Sequence, residues 1–87
     1  MSSPIKAITA EEASKLIQHE YTRACALFPT PFNSAHEGLA VLWEEFEELK
    51  KEVFTRDRDQ DHLREEAVQL GAMALRFISD LCTEDIP

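Results

Sequence analysis

The sequence predicts an all-α fold: an antiparallel helical hairpin preceded by an N-terminal helix, with a four-helix-type core formed on dimerisation. Three observations lead there. Apolar residues recur at spacings of three and four along three long segments. Glycines and prolines are scarce, two and four in number. No strand-like alternation of useful length competes with the helical pattern.

Each segment carries its own start and stop signals. Thr9 followed three residues later by Glu12 reads as a capping box, in which hydroxyl and carboxylate each satisfy a free N–H at the helix start. The first helix is expected over residues 10–27, ended by Pro29 and Pro31. Ser34 with Glu37 is a second capping box, opening a helix over residues 35–55. The polar stretch 56–61 is a short loop with several candidate N-caps, and the third helix covers residues 60–82, with an acidic tail after it. The apolar stripes are Ala13, Leu16, Ile17, Ala24, Leu27 and Phe28 in the first helix, and Leu39, Leu42, Trp43, Phe46, Leu49, Val53 and Phe54 in the second. The third offers Leu63, Ala67, Leu70, Ala74, Phe77, Ile78 and Leu81. Short loops between long helices favour antiparallel neighbours.

Eighty-seven residues make one domain, 1–87, and a small one. Such a chain buries a modest share of its surface and needs a disulfide, a metal or a partner to be stable. Cys25 and Cys82 have no metal-ligand spacing and read as small apolar residues of a reducing cytoplasm. Ala40, Val41, Ala72, Met73 and Leu75 fall off the stripes and leave apolar surface for a second copy. A monomeric three-helix bundle with scattered surface apolars is the alternative. The first nine residues hold no apolar stretch of secretory type, and no run is long enough to span a membrane. A net charge of −8 repels nucleic acid polymers. A nucleotide would need a divalent cation between itself and the protein.

The acids carry the functional signal. Glu45, Glu48 and Glu52 share one face of the second helix, where like charges three or four residues apart repel. Such a row either binds a hard cation through its oxygens or forms a solvated face. Glu66 lies on the flank of the third helix's apolar stripe, continued by Gln69, Arg76 and Asp80. At that place it needs a metal, a shifted pKa or a base, Arg76 being the nearest candidate. Glu20 interrupts the first helix's stripe, where it either pairs with Arg23 or Arg76 or faces the same polar cavity as the other acids.

The pattern Glu44-Glu45-Phe-Glu-Glu48 on one long helix, followed by Glu66-Ala-Val-Gln69 on the next, resembles the EExxE and ExxD motifs of MazG-like nucleotide pyrophosphohydrolases, over residues 34–82. The resemblance implies a homodimer or homotetramer. Its activity would be the magnesium-dependent hydrolysis of nucleoside triphosphates to monophosphate and pyrophosphate, with manganese as a substitute. It also implies Glu45, Glu48, Glu66 and Gln69 as the metal-binding set and Glu44 or Glu45 as the group orienting the attacking water. Gln69 stands where the family pattern has aspartate, so it supplies a carbonyl without a charge and cannot act as a base. Trp43, Phe46 and Phe54 are candidates for a base and sugar pocket, although their stripe reads first as core. Two further readings are a non-catalytic dimeric binding or regulatory module of the same fold, and an acidic helical interaction domain with no nucleotide link.

Overall fold

The computed structural model describes residues 7–82, so the first residues and the acidic tail lie outside the described part. It consists of three helices, α1 (Ala10–Leu27), α2 (Ala35–Val53) and α3 (Gln60–Leu81), with no strand among the described residues. Local chemistry sets the boundaries. The Thr9 hydroxyl accepts from the Glu12 N–H at 3.1 Å while the Glu12 carboxylate accepts from the Thr9 N–H at 3.2 Å, so this capping box is complete. At α2 only half of the box forms. The Ser34 hydroxyl accepts from the Glu37 N–H at 3.1 Å, but the Glu37 carboxylate reaches back to the Asn33 N–H at 3.3 Å. Asp59 caps α3 through the Asp61 N–H at 2.8 Å. The C-caps are Phe54 for α2 and Cys82 for α3, just inside the ends expected from the sequence.

The packing order differs from the stripes. α1 and α2 both lie against α3 and do not pack on each other. α3 is therefore covered on two sides. Ala72 is completely buried, with Val68, Met73 and Leu75 half-buried near it, while Ala67 and Ile78 from the expected stripe are exposed. The residues read as surplus at 72, 73 and 75 are thus part of the packing. In α1, Ala24 is buried and Ile17, Tyr21 and Cys25 are half-buried, whereas Leu16, Leu27 and Phe28 face outward. Cys82 is exposed.

The largest correction concerns α2. Its inner face is Gly38, Val41, Leu42, Glu45, Leu49 and Glu52, all buried or half-buried. Leu39, Trp43, Phe46, Val53 and Phe54, expected as core, are exposed, Trp43 by 64% and Phe54 by 80%. Small residues decide which face turns in. Helices approach most closely where one of them lacks a side chain. A Cβ on Gly38 would lie 2.6 Å from Phe77 Cδ2 and 2.9 Å from Leu81 Cδ1. The ring of Phe77 occupies that space, and α2 is rotated to accommodate it. At Gly71 the neighbour is the end of the Ile17 side chain, 2.9 Å from a built Cβ.

The two glycines should respond differently to alanine. Gly38→Ala is expected to destabilise by roughly 1–2 kcal/mol, because an aromatic ring must move and this outweighs the gain in helix propensity. Gly71→Ala should be close to neutral, since a terminal methyl can give way. Urea denaturation of the two variants checks this, and a stabilised Gly38→Ala would contradict the packing described.

Candidate functional site

The turn between α1 and α2 is held by one buried cation. Arg76 is 5% exposed. Its Nη2 donates to the Phe28 and Thr30 carbonyls, the latter at 2.7 Å, and its Nε donates to Asp80 Oδ2 at 3.2 Å. The guanidinium carbon lies 5.2 Å from the centre of the Phe32 ring. Asp80 Oδ2 also accepts from the Phe32 N–H at 3.0 Å. The last turn of α1 has no basic residue of its own. A guanidinium from α3 therefore meets the C-cap carbonyl and the negative end of the α1 dipole.

This staple keeps Arg76 away from Glu66, so the ion pair weighed from the sequence is not formed. Glu66 instead faces Glu45 and Glu48. One carboxylate oxygen from each of these three residues lies within 4.8 Å of the others. Glu45 Oε2 and Glu66 Oε2 are buried without a hydrogen-bond partner. The described lysines and arginines that form ion pairs do so elsewhere, as in Lys50–Glu47, Arg64–Asp61 and Arg76–Asp80. Repulsion among the three acids is therefore not relieved by any of these bases.

The electrostatic result is a proton held tightly. Burial, followed by the charges of Glu48 and Glu66, pushes the Glu45 carboxyl up to about 7. Burial and the charges of Glu48 and Glu65 raise Glu66 as well. Three carboxylates at this spacing, two of them with a buried oxygen that has no donor, suit a hard divalent cation better than they suit one another.

Of the other expected site residues, Glu44 is not one of the three clustered acids. Glu44 is exposed, at the edge between the inner and outer faces of α2. Gln69 is half-buried and lines a cavity of about 710 Å³ that also reaches Glu45. The cavity lies between the C-terminal part of α1, the 28–32 turn, α2 and α3, and its volume is that of a small-molecule site. Phe28, Phe32, Val41 and Met73 supply its apolar wall. Trp43, Phe46 and Phe54 are not part of it. Trp43 instead borders a shallow depression with His36 and Leu39 on the outer face. In the segment Phe28-Pro-Thr-Pro-Phe32 the sequence pattern assigns Phe28 to the stripe of the first helix and the two prolines to its stop. The segment's two flanking aromatics were the available signal of a second role. Glu20 pairs with Arg23 through two bonds of 2.8 Å, and that pair also lies on the cavity wall.

A pH dependence follows from Glu45. Its folded pKa lies above its unfolded value, so the native state holds more protons between about 4.5 and about 7. Stability without divalent cations should be greatest in acid and fall as pH rises through that window. Glu45→Gln should flatten the fall and be more stable than wild type at pH values above it. Thermal melts in a chelator across the window provide the check, and a wild-type stability that rises there would contradict the assignment. Among the described residues no helix is long and apolar enough to cross a membrane. Compared with known protein families, curated proteins and solved structures, the chain shows no significant match to any of them.

Proposed function

We propose that the chain is a magnesium-dependent nucleoside triphosphate pyrophosphohydrolase, which yields a nucleoside monophosphate and pyrophosphate. The observation that carries the reading is the meeting of Glu45 and Glu48 from α2 with Glu66 from α3, two of their oxygens being buried without donors. These three residues would hold the cation, with Mn²⁺ able to replace Mg²⁺. When bound, such a cation neutralises phosphate oxygens and makes phosphorus more open to attack by water. The protein's own contribution is positional. Glu45, on the cavity side, and Glu44, at the exposed edge, would orient a water and accept its proton. The adjoining cavity, with its apolar wall and the Gln69 amide, has room for the nucleoside part of the substrate.

A second reading has one observation in its favour. Gln69 brings no charge to the site, and with only three carboxylates the same fold could bind a nucleotide and its cation without turnover. Pyrophosphate release separates the two.

Self-association is part of the proposal. Among the described residues no large side chain is fully buried, and the exposed residues Leu39, Trp43, Phe46 and Val53 recur at coiled-coil spacing along α2. A second copy is the natural cover for such a seam, because a matching face is guaranteed by symmetry. Pairing through it would give the four-helix core that one chain leaves incomplete, as a homodimer or a homotetramer.

Two experiments follow. Millimolar Mg²⁺ or Mn²⁺ should raise the melting midpoint, since a ligand at 100 times its Kd stabilises by about 2.7 kcal/mol. Glu48→Gln should abolish that shift and any release of pyrophosphate from a nucleotide panel. An unmoved midpoint, or a variant that behaves as wild type, rules the enzyme out. Light scattering after gel filtration should give at least twice the mass of the chain, and Trp43→Glu should lower it to one chain. A wild type that stays monomeric at high micromolar concentration rules out the seam.

A further inference from the structure

We propose that Arg23 is the anion-binding arm of this site, releasing Glu20 to take the non-bridging oxygens of a phosphate chain whose cation is held by Glu45, Glu48 and Glu66. The inference rests on the metal–phosphate reading above and extends it to a residue outside both motifs.

The cavity has two cationic side chains in its wall, Arg23 and Arg76, against Glu20, Glu37, Glu44 and Glu45. Arg76 is committed: it is buried and bonded to Asp80 and to the carbonyls of the 28–32 turn. Arg23 is less committed. Its side chain is 53% exposed, and among the described residues the partner in its ion pair is Glu20. That pair is bidentate, with Nε and Nη2 each 2.8 Å from a different carboxylate oxygen. The same fork matches two oxygens of a phosphate, so exchange preserves the hydrogen-bond geometry and replaces a single charge by a multiple one. On the Arg23 side, where the side chain is 53% exposed, water screens the pair, so the guanidinium itself loses little on leaving it.

Glu20 explains the arrangement from the other side. It is the less exposed member, at 17%, and it falls on the apolar stripe of α1 between Ile17 and Ala24. A carboxylate is costly at such a place unless it has a use. Here it keeps Arg23 against the cavity wall while no ligand is present. The Arg23 bond holds the Glu20 carboxyl below the usual range, so the pair stays charged in neutral solution.

The test uses two variants expected to act in opposite directions. Binding of inorganic triphosphate in Mg²⁺ is followed by calorimetry, and Mn²⁺ uptake without triphosphate is followed by electron paramagnetic resonance. Arg23→Gln should weaken triphosphate binding about tenfold or more while leaving Mn²⁺ uptake unchanged. Arg23→Lys should recover only part of the loss, because it lacks the fork. Glu20→Gln should tighten triphosphate binding by about two- to fivefold, by removing the competitor. An Arg23→Gln protein that binds triphosphate as wild type does, or a Glu20→Gln protein that binds it more weakly, overturns the assignment. If wild type takes up no Mn²⁺, the metal reading itself fails. If Mn²⁺ is taken up and Arg23→Gln changes nothing, only the Arg23 role fails.

Discussion

The buried guanidinium of Arg76 is the constraint on which the arrangement depends. A charge so completely removed from water must be met by fixed partners, and here they come from three places in the chain: Asp80 on its own helix, the end of α1, and the turn that follows. Because the same side chain caps α1 and holds the turn, α1 cannot shift on α3 without uncovering it. The direction in which α2 departs from the turn is set at the same point. One side chain thus fixes how α1 and α2 can both rest on α3 without touching each other, and the cavity is the space that remains between them.

That arrangement turns the usual distribution on α2 inside out. Its aromatic side chains face outward, and three of its glutamates lie on or beside the covered face. Gly38 provides the mechanical reason, since the Phe77 ring of α3 fills the space that a side chain there would take. With that face turned in, Glu45 and Glu48 are carried toward Glu66 whatever their mutual repulsion. The cost shows in the raised proton affinity of Glu45 and Glu66 and in two oxygens without donors. A fold optimised for stability alone would place a base there. The acids are tolerated because close packing elsewhere holds the helices together.

Much of this could be read from the sequence, for reasons that differ by level. Helix starts depend on chemistry within four residues, so Thr9 and Ser34 identified them correctly. Helical spacing places Glu45 and Glu48 on one face, while their grouping with Glu66 was legible only through the resemblance to the EExxE and ExxD motifs. Which face of α2 turns inward was not legible from hydrophobicity. Both faces carry apolar residues, the larger ones suggested the wrong choice, and the contact that decides it is between a glycine and a ring thirty-nine positions away (Gly38 and Phe77). The role of Arg76 was hidden for a similar reason. Its partners are backbone carbonyls of a turn, which no residue pattern announces. The cavity depends on that turn and was equally out of reach.

The outward position of Trp43 has a practical consequence, because it is the protein's single tryptophan. Intrinsic fluorescence in this molecule reports on the outer surface of α2 and on little else. Loosening of the α1–α3 contact would leave the emission almost unchanged, whereas anything that settles on that surface would shift it toward the blue. An optical signal usually taken as a gauge of folding therefore serves, in this chain, as a gauge of company.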